Sequence, residues 1–122
     1  MKQREQRRFI RYDSLHLLDF IVLDEQGHEG LYSMGRTLDV SLDGIKLETV
    51  YPLKENCHLL VTIGLEEDLI DIEGVITHTF PRDGRYLAGV NFIKINGEGR
   101  RIVSKYIDAF HQKKHNPGSN LP

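Results

Sequence analysis

The chain has 122 residues, with 16 Lys+Arg, 18 Asp+Glu, one Cys and no Trp. That length fits one compact domain, and 28% charged with 39% hydrophobic residues describes a soluble globular chain rather than a disordered one. Cys57 alone excludes an internal disulfide framework and a Cys-based structural zinc site, and no run approaches the roughly 18 apolar residues of a membrane span.

Residues 1–13 form a basic N-terminal segment expected to be flexible. Met1 to Arg8 is polar with no apolar run behind it, unlike a signal peptide, which points to the cytoplasm. A barrel-forming region is expected over 14–95. Leu15–Leu23 reads as a first strand, and a turn at Asp24–Gly30 follows. Leu31–Val40 and Ile45–Thr49 are the next two strands, with Ser41-Leu42-Asp43-Gly44 as a tight turn between them. Gly44 can supply a positive φ for that turn. Pro52 breaks the chain before a fourth strand, Cys57–Ile63. Gly64 and the acidic turn Glu66-Glu67-Asp68 precede a long fifth strand, Leu69–Phe80, whose pattern shifts phase near Gly74. Arg82-Asp83-Gly84 is a hairpin turn, and Arg85–Ile95 returns as the sixth strand.

The last element is helical. Over 96–114, Ile102, Val103, Tyr106, Ile107 and Phe110 recur at helical spacing. Asn96 is a fitting N-cap and Glu98 suits the positive end of the dipole, for a helix of roughly three to four turns. The tail, 115–122, is turn-rich and expected to be disordered. The fold class is therefore mainly β, an antiparallel β-barrel of six strands with a C-terminal α-helix packed on it.

The net charge of −2 conceals a strong asymmetry. Residues 1–11 sum to +4, residues 12–99 to −10 and residues 100–115 to +4. The basic ends can fold back onto the acidic body or form an anion site. Four of the five basic residues in the head are Arg, whose planar fork suits phosphate and flat bases.

Nothing in the sequence assembles an active site, so the chain reads as no enzyme. Gly-x-Ser-x-Gly and phosphate-loop motifs are absent. Cys57 and His58 are neighbours along a strand and point to opposite faces, which disfavours a nucleophilic dyad and leaves Cys57 to the core. His111 and His115 share a helix face but lack a third ligand, so no metal is expected. Glu66-Glu67-Asp68 reads as a solvated turn.

Two segments suit binding. In Arg7-Arg8-Phe9-Ile10-Arg11, Arg7 and Arg11 share a face whether the segment is helical or extended. Two co-facing guanidiniums hold two phosphates, or one phosphate and one base. In Asp39-Val40-Ser41-Leu42-Asp43-Gly44, Asp39 and Ser41 project from one side while Val40 turns inward. A carboxylate beside a hydroxyl suits the donor edge of guanine, although the same residues are good turn chemistry that satisfies local N–H groups.

Together these segments resemble the PilZ domain family. Its signature is Arg-x-x-x-Arg followed some 25–35 residues later by Asp/Asn-x-Ser-x-x-Gly, matched here by Arg7 and Arg11 and then by Asp39, Ser41 and Gly44. Gly89-Val90-Asn91-Phe92 is similar to a Gly-x-x-Phe pattern on a late strand of that family. The resemblance covers about residues 4–113. It implies a six-stranded Greek-key barrel of the split-barrel type and a receptor for cyclic di-GMP, a bacterial second messenger, with no cofactor. Carried over, Arg7 and Arg11 hold phosphate and guanine, Asp39 accepts from a guanine edge, Ser41 hydrogen-bonds the ligand and Gly44 permits close approach. Arg4, Arg8, His78 and Gly89 are possible further contacts, and His78 or Phe80 is a candidate ring to pack on the ligand. The arginine segment is expected to order on binding and to signal to a partner protein of motility, pilus, polysaccharide or biofilm machinery. The chain is expected to be a monomer or weak dimer. A single-stranded nucleic-acid binder is the alternative, disfavoured by the −10 body, and a ligand-free protein-interaction module is the third reading.

Overall fold

Alternating apolar residues build the strands and set which side of each faces inward. The structure, a computed structural model, describes the backbone of residues 16–115 and the side chains of residues 16–112. β1 (Leu17–Leu23) turns Leu18 and Phe20 into the core. β2 (Glu29–Val40) is largely exposed at its start, where Leu31 and Met34 face outward, and buries Thr37 and Val40 at its end. β3 (Gly44–Thr49) and β4 (His58–Leu65) contribute Ile45, Leu47, Leu59, Val61 and Ile63. β5 (Asp68–Arg82) and β6 (Arg85–Phe92) add Ile72, Ile76, Ala88 and Val90. All pairings are antiparallel, and the strands close in the order β1-β2-β3-β6-β5-β4. Closure leaves no unpaired sheet edge among the described strands. The β3–β4 connection is the one that passes between strands that are not neighbours.

The turns follow from their residues. Asp24 Oδ1 accepts from the N–H groups of Gln26 (2.9 Å) and His28 (2.7 Å), closing the β1–β2 loop. The backbone N–H of His28 is the main cause holding the Asp24 carboxyl below the usual carboxylate range. Asp83 (φ 53°) and Gly84 (φ 78°) are both left-handed, the type I′ geometry that an Asp-Gly hairpin requires.

The C-terminal helix, α1 (Gly97–His115), packs against β4 and β5. Asn96 caps it: Gly99 N–H donates to Asn96 Oδ1 (2.8 Å). Val103, Tyr106, Ala109 and Phe110 close the barrel core, with Ile107 packed partly against it. The Tyr106 hydroxyl lies 3.4 Å from Thr37 Oγ1, and burial pushes its pKa up to about 12. The helix is longer than the apolar stripe alone indicates, 19 residues or about five turns. Its last turn, His111 to His115, is polar in sequence.

Four expectations are corrected. β6 ends at Phe92 rather than Ile95, because Lys94 is left-handed (φ 56°) and turns the chain toward the helix cap. The irregularity of β5 lies between Ile76 and His78, not at Gly74. Gly74 keeps the register, and a Cβ there would meet Val90 Cγ1 at 2.5 Å. Gly44 is not left-handed; its lack of a side chain serves the close approach of β3 to β6, since a Cβ would overlap the Val90 carbonyl oxygen. Cys57 is only partly buried, because it precedes β4 and packs on the core from the barrel end.

The basic helix face is partly neutralised by the acidic turn. Lys105 Nζ bonds Asp68 Oδ2 at 2.5 Å, and Arg101 Nη2 reaches Glu98 (2.6 Å) and Asp68 (3.9 Å). The hydrogen bond from Lys105 holds the Asp68 carboxyl below its ordinary range, and the one from Arg101 does so for Glu98. No helix among the described residues is long and apolar enough to cross a membrane.

Candidate functional site

Two bulges and two glycines shape a cleft on the outer wall of the barrel. In β2 the register shifts between Thr37 and Asp39, and in β5 between Ile76 and His78. A bulge adds a residue on one strand and re-aims the side chains beside it. At the second bulge both Thr77 and His78 are turned out to solvent, while Ile76 stays in the core. Thr77 Oγ1 donates to the Gly89 carbonyl (3.2 Å) and lies 3.1 Å from His78 Nδ1, which fixes the imidazole at the cleft edge.

The rows of paired residues run across three strands. Lys46 pairs with Gly89, and Gly89 with His78. Gly44 pairs with Asn91, and Asn91 with Val75. Missing side chains at Gly44 and Gly89 thus leave a hollow between Lys46 and His78. A Cβ on Gly89 would meet His78 Cε1 at 2.7 Å, so that glycine is needed for the imidazole to lie where it does. The cleft has a volume of about 230 Å³ and is lined by Asp39, Ser41, Gly44, Lys46, His78 and Gly89, together with Thr77 and Asn91.

The motif side chains stand at its rim. Val40 is buried between the exposed Asp39 and Ser41, as the alternation requires. Ser41 N–H donates to the Gly44 carbonyl (2.9 Å), Asp43 N–H to Ser41 Oγ (3.2 Å), and Phe92 N–H to the Asp43 carbonyl (2.9 Å). Asp39 Oδ1 accepts from Val40 N–H (3.0 Å) and lies 3.5 Å from His111 Nε2 of α1. Both side chains therefore perform the local turn chemistry, and Asp39 Oδ2 has no partner among the described residues. Lys46 is exposed, with no ion pair among the described residues. A free ammonium, a free carboxylate oxygen, a hydroxyl and a flat ring around one hollow can hold a ligand with phosphate, N–H donors and an aromatic face.

The structure brings together Asp39, Ser41, Gly44, His78 and Gly89. Phe80 stands outside the cleft but stacks beside His78, with ring planes 7° apart and centroids 6.1 Å apart. Arg4, Arg7, Arg8 and Arg11 lie outside the described residues. Lys46, Thr77 and Asn91 were missed. The signal for Lys46 was its place two residues after Gly44 on one strand, hence on the same face.

Cys57 packs on the core while His58 bonds Glu73 (2.6 Å) on the outer wall, so the two do not meet. Burial raises the Cys57 thiol pKa, which keeps it protonated and poorly nucleophilic. Among the described residues there is no cluster of three or more metal-ligating side chains.

Comparison with known proteins gives the family and the fold. The family model described as PilZ domain matches residues 4–109. The chain belongs to the PilZ domain family. Among solved structures it is similar to the PilZ domain with c-di-GMP of YcgR from Escherichia coli (TM-score 0.63, 13% identity, 85% of this chain and 89% of that one). It is also similar to MrkH of K. pneumonia in its apo state (TM-score 0.58, 20% identity, 88% of this chain and 51% of that one). A third likeness is to the PilZ domain of CeSA from a cellulose synthesizing bacterium (TM-score 0.55, 15% identity, 78% and 93%). At these identities the likeness is one of fold, and the chain spans about half the length of MrkH. The search of curated proteins found no match.

Proposed function

We propose that this PilZ domain is a non-enzymatic receptor for cyclic di-GMP, acting in the cytoplasm of a bacterium. The observation that carries the reading is the single cleft in which Asp39, Ser41 and Gly44 meet His78 and Gly89 from distant strands. The YcgR domain of the same fold is a structure with c-di-GMP. In this reading Asp39 accepts from the N1–H and N2–H₂ edge of a guanine, Ser41 bonds the ligand, and Gly89 gives the base room beside the His78 ring. Lys46 contributes positive charge toward phosphate.

Arg7 and Arg11 complete the site by clamping phosphate and stacking on guanine, with Arg8 and Arg4 at its margin. The attachment point supports this. The His16 carbonyl accepts from Thr37 N–H (2.7 Å), two residues from Asp39. Arg11 lies five positions before His16, a reach of up to about 18 Å. Docking of the arginine segment would be the ligand-dependent signal to a partner protein, with the ordering entropy offset by charge-assisted contacts.

A thermal-shift titration tests the reading. Saturating cyclic di-GMP should raise the midpoint of the wild-type chain and leave Arg7→Ala/Arg11→Ala unshifted. No stabilisation of the wild type would reject the function. Equal stabilisation of the double variant would reject the arginine clamp.

A further inference from the structure

The outer end of the β5–β6 hairpin carries a second surface, which adjoins the ligand cleft through Phe80 beside His78. Arg82 and Arg85 flank the type I′ turn and pair directly across the strands. Like charges at opposed positions destabilise a hairpin. Both are exposed, and neither has an ion pair among the described residues. Apolar side chains stand beside them. Phe80 is 47% exposed, two residues from Arg82 on the same strand face. Val50 and Tyr51, each 50% exposed, follow Thr49, whose partner across the sheet is Tyr86. Exposed aromatic groups beside arginine are the composition of interaction hot spots.

We infer that this hairpin end, comprising Arg82, Arg85, Phe80, Val50 and Tyr51, docks a short acidic segment of a partner protein that also carries an apolar side chain. Two guanidiniums at opposed positions, with no ion pair among the described residues although Asp83 lies in the turn between them, are complementary to carboxylates, which would relieve their mutual repulsion. Phe80, Val50 and Tyr51 offer the apolar contact. The tight Asp83-Gly84 turn holds the pair in place before binding, so little ordering is needed. A long polyanion fits less well, because residues 16–112 carry nine basic and sixteen acidic side chains, a net of −7. A short acidic segment at the hairpin tip escapes most of that repulsion, since screening acts over about 10 Å.

The test is an NMR titration of the ¹⁵N-labelled full chain without dinucleotide, so its outcome is independent of cyclic di-GMP binding. The probe is a synthetic peptide alternating Asp or Glu with Leu or Phe, and the controls are its Gln-substituted analogue, oligo-dT and phosphatidylglycerol vesicles. Saturable shifts should fall on Val50, Tyr51 and 80–86, and affinity should drop about ten-fold or more in R82E/R85E and with the Gln analogue. R82K/R85K should keep most of the binding, and unchanged amide positions elsewhere would show that the variants fold. The inference is overturned by no binding, by shifts elsewhere, or by unchanged affinity in R82E/R85E. It is equally overturned if oligo-dT or vesicles perturb the same amides more strongly, or if dilution alone moves them, which would indicate a second copy of the chain.

Discussion

His111 Nε2 of α1 lies 3.5 Å from Asp39 Oδ1, joining the end of the helix to the rim of the cleft. Asp39 thus serves a backbone N–H, a helix side chain and, in the proposed function, a guanine edge. His111→Ala should leave the fold intact and leave cyclic di-GMP affinity equal or modestly higher, because a competing partner for the carboxylate is removed. Parallel calorimetric titrations of the variant and the wild type check this. A large loss of affinity would mean that His111 itself meets the ligand.

The two cleft glycines should respond differently to alanine. At Gly44 the obstacle is the Val90 carbonyl, which cannot move without parting β3 from β6. Gly44→Ala should cost about 1–3 kcal/mol, read as a lower thermal midpoint. At Gly89 the obstacles are the side chains of His78 and Thr77. Gly89→Ala should cost less stability and should displace the imidazole, lowering ligand affinity.

The buried phenol of Tyr106 makes stability depend on alkaline pH. Its folded pKa of about 12 stands above the ordinary value of 10. The stabilising effect is fully present below pH 10 and is lost as pH rises from there toward 12, because the unfolded chain ionises first. The loss amounts to roughly 2–3 kcal/mol over that window. Urea melts of wild type and Tyr106→Phe from pH 8 to 11.5 should show the steeper decline in the wild type.

The link between the acidic turn and the helix is an ion pair at the surface. Lys105→Ala should raise the Asp68 pKa toward its ordinary range, since the Lys105 hydrogen bond is the main cause of its depression. A carboxyl NMR titration reads this directly, and salt should shrink the difference. Stability should change little, as for exposed ion pairs in general.

Much of this was legible in the residues. The Asp-Gly turn, the Asn96 cap and the stripe from Ile102 to Phe110 each carry a local chemical signature, and each stands where that signature puts it. Asp39 and Ser41 flank an inward Val40 because alternation fixes the face. What escaped depends on contacts between distant strands. The reason for Gly44 lies in the Val90 carbonyl, nearly fifty residues away in sequence, and only the paired structure reveals it. The bulge at Thr77 turns His78 over Gly89 of the neighbouring strand, an arrangement that no local pattern on β5 announces. Lys46 shares a face with Gly44 on β3, but it lines the cleft because β3 pairs with β6.

The most direct test of the cyclic di-GMP site is isothermal titration of the full chain with that dinucleotide, comparing wild type with Asp39→Ala. Saturable binding by the wild type, weakened about ten-fold or more in the variant with an unchanged melting temperature, is the predicted result. Wild-type binding that survives loss of Asp39 at full strength, or no binding by the wild type, would contradict it.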